Sequence, residues 1–286
     1  MHLWKLTLSY DGTSFHGWQV QPRLPTVQGT LAAAIRHITG ETVLPQGSGR
    51  TDAGVHALGQ VASFPLLCPI PASNLHRALN RSLPPSVRVL SVEAVEPPFH
   101  ARHSALRKTY EYRIFPLAMR PPPERKAEVR SELLQDRAAD LPRICSPMLA
   151  PFVWEYRLLL DFDALNRAAG FILGRHDFTS FAATGPELPD AVPSEPLPGY
   201  PSTPPTPCRV IHYSAWRWSG DLLIYRVTGS GFLHHMVRNL VGTFVQAGAG
   251  RSSADAIPGI LQARSRSAAG PTAPAHGLFL VDVEYP

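Results

Sequence analysis

Polar and apolar residues alternate from the first turn of the chain, with Trp4, Leu6, Leu8 and Tyr10 on one side and Leu3, Lys5, Thr7 and Ser9 on the other. That period of two predicts a strand ending at Asp11-Gly12. The period then changes: Val27, Leu31, Ala34, Ile35 and Ile38 recur at helical spacing, with Thr26 placed to cap the helix and Gly40 to stop it. A short strand is expected over 42–44, a loop after it, and a strand over 60–66. Ser73 is expected to cap a second helix through Leu83, where Pro84-Pro85 forbids extension. Residues 87–95 read as a further strand.

The second part repeats that mixture. Residues 108–115 predict a strand with Tyr110, Tyr112 and Ile114 on one face. A helix starts at Asp161 or Asp163 and runs through Leu173; 209–218 and 222–228 form a hairpin turned by Ser219-Gly220-Asp221. An apolar helix is expected over 232–247, a short one over 254–263, and a closing strand over 278–285. The predicted fold class is α+β, two ferredoxin-like halves forming one mixed, mainly antiparallel sheet with helices packed on it and a basic cleft between the halves. The halves are expected at 1–105 and 106–286. Pro-rich stretches at 116–160 and 184–208 read as surface insertions in the second half, extended or mobile rather than core.

Composition adds little by itself. Of 27 basic residues only Lys5, Lys108 and Lys126 are lysines, and the net charge is +5. Arginine suits bidentate phosphate contact, but a genome-wide bias toward Arg explains the same counts, so charge decides nothing. Cys68, Cys145 and Cys208 are odd in number and widely spaced, which argues against a disulfide framework or zinc site and fits a reducing cytosol. The N-terminal stretch lacks the apolar core of a signal peptide, and no run approaches the length of a membrane span, so a cytoplasmic protein is expected.

Candidate chemistry is sparse. In "GSGRTDAGVHA" (47–57) Asp52 lies among glycines, and locally a turn is the stronger reading. Asp11-Gly12-Thr13 would be the tail of a phosphatase-type D-x-D-G-T loop, but position 9 is Ser, and a strand-ending turn explains it. His234 and His235, expected on one helix, point about 100° apart and do not suit one metal. Gly229-Ser230-Gly231 can bind an anion at a helix start or simply end a hairpin. Arg238, in the second turn of an apolar helix, must either reach solvent or pair with an acid. Tyr110 packs in a core unless its strand face is open.

Taken together the stretches "YDGTSFHGWQVQP" (10–22), "GRTDAGVHALGQ" (49–60), "FHARHSALRKTYEYRI" (99–114), "GFLHHMVRNLVG" (231–242) and "GLFLVDVEYP" (277–286) resemble the blocks of the bacterial tRNA pseudouridine synthase A family, in its order. The Pro-rich stretches depart from its pattern. The resemblance implies an isomerase that converts uridines 38, 39 and 40 of the tRNA anticodon stem-loop to pseudouridine, without cofactor or metal, as a homodimer. It further implies Asp52 as nucleophile, Tyr110 stacked on the target base, Arg50 displacing the nucleotide, Arg238 paired with the catalytic acid, and Leu278 as an apolar wall. A non-catalytic RNA-binding protein accounts for the arginines and Tyr110 but gives Asp52 no task.

Overall fold

The computed structural model describes residues 1–120, 143–183 and 206–286. Residues 121–142 of the first Pro-rich stretch and most of the second, 184–205, lie outside the described residues. The fold is α+β, with mixed parallel and antiparallel strand pairing and five α-helices among the described residues. The described chain separates into two compact units. One comprises Met1–Tyr110 and Leu278–Pro286; the other comprises residues 111–183 and 207–277.

In the first unit the strands β1 (His2–Tyr10), β3 (His56–Leu66), β4 (Val87–Val95) and β12 (Leu278–Glu284) lie in the order β4-β1-β3-β12, with β2 (Gln46–Gly47) added to β3. β1 is antiparallel to both neighbours, whereas β12 runs parallel to β3 with Phe279 opposite His56. The alternation in β1 is realised: Trp4, Leu6, Leu8 and Tyr10 are buried. Helix α1 (Val27–Thr39) begins and ends at the residues its sequence singles out. The Thr26 hydroxyl accepts from the Gly29 amide at 3.3 Å, and Gly40, left-handed at φ 76°, closes on the Arg36 carbonyl. Helix α2 (Ala72–Ser82) buries Leu75 and Leu79. Pro71, not Ser73, precedes its first residue and gives no side-chain cap, because the fixed φ of proline suits a helix start without one.

The chain passes to the second unit within β5 (Arg107–Pro116), between Tyr110 and Glu111. There the order is β5-β11-β10-β9, from Leu222–Gly229, Cys208–Ser219 and Gly174–Asp177 respectively. β10 and β11 form the expected hairpin, Ser219 opposite Leu222. A second, two-stranded sheet pairs β6 (Met119–Arg120) with β8 (Leu160–Asp161). Helix α3 (Phe162–Gly170) is capped by Asp161, whose carboxylate accepts from Ala164 at 3.0 Å. It packs against α4 (Met236–Gly248) on one face of the sheet, and a short α5 (Ile257–Ala263) follows.

Three expectations change here. No strand forms over 42–44; the pairing falls on Gln46–Gly47 instead. β3 begins at His56, four residues early, because pairing with β1 and β12 extends it. Residues 143–160 are not a loose insertion: Cys145, Val153 and Tyr156 are buried, and β7 (Trp154–Tyr156) pairs in parallel with β5. Apolar side chains in that stretch join Phe115 in a small core. None of the helices in the described residues is long and apolar enough to cross a membrane.

Candidate active site

Asp52 sits in the loop between β2 and β3, half-buried. The loop turns just beyond it, with the Val55 amide donating to the Asp52 carbonyl at 3.1 Å and Gly54 at φ 77°. A positive φ at the third position of a turn is what glycine provides at little cost. The turn reading and the site reading of this stretch are therefore compatible.

Neighbouring segments hold the loop from both sides. The Trp18 amide donates to the Thr51 carbonyl at 3.0 Å and the Gly54 amide to the Phe15 carbonyl at 3.2 Å. Gly17 is left-handed at φ 87°, and a β-carbon there would come within 2.5 Å of the Thr51 carbonyl oxygen. Beneath the loop lies Gln60, wholly buried, whose amide donates to the Gly49 carbonyl at 2.9 Å and whose oxygen accepts from the Ser48 hydroxyl at 2.6 Å. Tyr10 and Thr51 hydroxyls are 2.8 Å apart. Burial pushes the Tyr10 phenol up to about 12, against the opposing pull of its hydrogen bonds with Thr51 and Gln60. At the loop's start the Lys108 ammonium donates to the Ser48 carbonyl, which ties the first residues of β5 to it.

That tie brings Tyr110 to the site. Tyr110 is 7% exposed, and its phenol is pushed well above the ordinary tyrosine range by burial first, then by the charges of Tyr10 and Asp52. Asp52 and Tyr110 are thus electrostatic neighbours within one unit. Arg50, two residues before Asp52, is exposed. Leu278 opens β12 in the same unit and is buried. Beside it, Phe279 stacks on the His56 ring with centroids 4.7 Å apart, and Nδ1 of the buried His56 lies 3.0 Å from the Gly12 amide and 3.2 Å from an Asp11 oxygen. Asp11 and Gly12 are therefore occupied in holding the loop's far end. The Asp11 carboxyl is opposed by partial burial but held low by Thr13 and His56.

Arg238 belongs to the second unit. Helix α4 starts at Met236, not Phe232, because His235 takes a left-handed φ of 60° that interrupts the helical ladder. The two histidines accordingly precede the helix, with ring centroids 4.0 Å apart, and Arg238 falls in the first turn rather than the second. A cation there opposes the helix macrodipole, a cost of a few tenths to about 1 kcal/mol. Its Nε donates to the Ala273 carbonyl at 2.8 Å, while the Ala273 amide donates to the Arg238 carbonyl at 3.1 Å. Next to this strap the Tyr112 hydroxyl donates to the Pro274 carbonyl at 2.8 Å, and burial raises the Tyr112 phenol despite the nearby Arg238 charge.

Sequence reasoning missed Gln60, Lys108 and His56 as parts of the site. Gln60 shares the strand alternation of Ala62, Phe64 and Leu66, so a polar amide on a core-facing register was the available signal.

Comparison with known proteins shows the family of the chain. A family model described as tRNA pseudouridine synthase matches residues 7–104 and 199–286. Among the relatives, tRNA pseudouridine synthase A of Solibacter usitatus is 43% identical over 282 residues, covering 98% of each chain. The proteins of that name from Moorella thermoacetica and Rhodopseudomonas palustris (strain BisB5) are each 41% identical, over 98% and 100% of both chains. With the motif loop, the buried amide beneath it and these full-length matches in agreement, the chain belongs to the tRNA pseudouridine synthase A family, a family of isomerases.

Proposed function

We propose that the chain isomerises uridines 38, 39 and 40 of the tRNA anticodon stem-loop to pseudouridine, with Asp52 as the nucleophile. Family membership supports tRNA pseudouridylation in general. The observation that carries the assignment to residues is Asp52 on a doubly fastened loop, close enough to Tyr110 for its charge to bear on the phenol.

The reaction breaks the bond between uracil N1 and the ribose C1′ and joins C5 to the same carbon. N1 gains a proton and C5 loses one, so no atom, electron or activated donor enters or leaves. A carboxylate suits this because it bonds reversibly to an electron-poor carbon, whether ribose C1′ or uracil C6. Asp52 takes this role in the proposed reaction. Tyr110 stacks on the uracil, which holds the freed base without fixing its rotation and contributes about 1–3 kcal/mol. Its hydroxyl stays protonated across the neutral range, consistent with stacking rather than proton transfer.

Arg50 displaces the target nucleotide in this reading, a step that costs a few kcal/mol. Arg238 pairs with the catalytic carboxylate, which gives a reason for retaining a cation in the first turn of α4. Leu278 walls the site against water. The same reading takes the two units as ferredoxin-like halves with a basic cleft for tRNA between them, and the protein as a cytoplasmic homodimer acting without cofactor or metal.

Incubation with tRNA carrying 5-tritiated uridine tests this, since only substitution at C5 frees the label. Release is expected from wild-type tRNA, and it should fall stepwise as uridines 38, 39 and 40 are replaced by cytidine. RNA binding with no release would leave an RNA-binding protein instead.

A further inference from the structure

The sheet of the second unit has two unlike faces. Helices cover one: Tyr225 meets Phe244 of α4 edge-on at 5.5 Å, and the Ser214 hydroxyl donates to the Ala169 carbonyl of α3. Residues one position along each strand point to the other face, and there β5, β11 and β10 contribute Glu111, Arg113, Arg226 and Arg217. The Glu111 side chain is 7% exposed. Arg217 Nη2 and Arg226 Nη1 each donate to its Oε1 at 3.1 Å, and Arg113 Nη2 lies 3.8 Å from its Oε2.

Two guanidiniums sharing one carboxylate oxygen leave an excess of positive charge before Arg113 is counted. The crowding is felt at Arg113, whose pKa is lowered by burial, supported by Glu111 and lowered again by Arg217. The side chains of Arg217 and Arg226 remain 46% and 38% exposed while each gives an N–H to Glu111. A carboxylate this buried is costly to keep, and its partners are not buried with it. Its effect is to hold the Arg217 and Arg226 side chains in fixed orientation beside Arg113, on the sheet face opposite α3 and α4 and next to the small core that Phe115 forms on that same face with Cys145 and Val153. Tyr213, also exposed, stands on the same face two residues before Ala215, the cross-strand partner of Arg226.

We propose that Arg113, Arg217 and Arg226, aimed by Glu111, form a contact surface for the phosphodiester backbone of RNA, with Tyr213 offering its ring to a base or ribose. The face carrying it lies opposite the one to which Tyr112 points, and the role proposed for it is affinity rather than bond making. Fixed guanidinium forks beside an exposed aromatic match phosphate and nucleobase chemistry. The group spans three neighbouring strands, about 10 Å, which exceeds a single phosphate and suits a polyanion. A second copy of this chain fits worse, because a two-fold contact would set the same arginines against each other.

The choice of tRNA as the RNA rests on the function proposed above. Two variants test the surface: Arg217→Gln/Arg226→Gln, and the same pair with Glu111→Gln so that no buried carboxylate loses its partners. The dissociation constant for tRNA is measured by fluorescence anisotropy from 50 to 200 mM KCl, beside tritium release at saturating tRNA. Both variants are expected to bind about tenfold more weakly at low salt. The slope of log Kd against log salt should fall by about 1–2, roughly 0.7–0.9 for each phosphate no longer neutralised, with maximal turnover unchanged. Unchanged affinity and slope in both variants would overturn the surface and leave the isomerase intact. A changed sedimentation coefficient with unchanged RNA affinity would also overturn it, making this face an interface between copies. Loss of RNA affinity in the variants, with no tritium release from wild type, would uphold the surface and remove the isomerase.

Discussion

The Ser48 hydroxyl donates a 2.6 Å hydrogen bond to the side-chain oxygen of Gln60, a residue with no exposed surface. The same amide group donates to the Gly49 carbonyl, so one buried side chain holds both residues that lead into Arg50-Thr51-Asp52. Gln60→Leu keeps the volume and removes both bonds, leaving a hydroxyl and a carbonyl without their partner. It should cost about 2–6 kcal/mol, since each of the two buried polar groups stranded costs about 1–3 kcal/mol. Gln60→Glu keeps the acceptor for Ser48 and loses the donor to Gly49. Thermal unfolding should rank wild type above Gln60→Glu and Gln60→Leu, and turnover on tRNA should fall in both because the loop carrying Asp52 is released.

Gly17 and Gly40 are both left-handed, but only Gly17 is crowded. A β-carbon at Gly40 meets nothing within 4 Å, while one at Gly17 comes within 2.5 Å of the Thr51 carbonyl oxygen. Gly40→Ala should therefore cost only the left-handed penalty, about 1–2 kcal/mol, with activity retained. Gly17→Ala should cost more and also displace the loop. Comparing denaturation midpoints with tritium release separates the two. Equal loss of activity in both would remove Gly17 from the positioning of Asp52.

Stacking by Tyr110 predicts tolerance of one substitution and not another. Tyr110→Phe should stay within a few-fold of wild type. Tyr110→Leu should lose about 5- to 150-fold in kcat/KM, the equivalent of about 1–3 kcal/mol of stacking energy. The raised pKa of the phenol adds a second expectation: the rate should show no step near pH 10 from this group. Equal loss in both variants would give the hydroxyl the role instead.

Stability should depend on pH through His100. Its Nδ1 accepts from the Arg102 and His103 amides at 3.0 and 3.3 Å, an acceptor role that a protonated nitrogen cannot fill. Burial, then the charges of His103 and Arg102, hold its pKa down to about 4, below the usual 6.5. The unfolded chain therefore takes up the proton first as pH falls, and the stability this residue contributes is full above about 6.5 and lost progressively toward about 4. His100→Asn keeps a short acceptor without that titration. Its melting temperature should decline less than that of wild type between pH 6.5 and 4.

Much of this architecture is legible in the sequence where the signals are local. Helix α1 needs only Thr26, Gly40 and five apolar residues at helical spacing, and it forms as they dictate. The hairpin at Gly220 is equally local. What escapes is set by distant partners or by backbone choices that composition conceals. The first residues of β3 read as loop because their pairing partner Phe279 lies more than 200 positions away. The early start expected for α4 follows from continuous apolar character through Phe232 and Leu233, while the left-handed His235 that delays the helix carries no glycine to announce it. Prolines near 143–160 conceal Cys145, Val153 and Tyr156, whose burial depends on β5 and its neighbours. At the candidate site, Asp52 and Tyr110 are singled out by their motifs, whereas Gln60 and Lys108 bind backbone carbonyls of the loop, which no motif displays.

The central claim is that the Asp52 carboxylate forms the bond that starts the isomerisation. Asp52→Asn keeps the size and suits the same turn, but removes the charge and the nucleophilicity and turns one acceptor oxygen into an NH2 donor. The decisive measurement is tritium release from 5-labelled tRNA by purified Asp52→Asn, with tRNA affinity measured on the same preparation. Release abolished, with affinity within a few-fold of wild type, is the predicted result. Turnover near the wild-type rate would contradict it and return Asp52 to the role of a turn former.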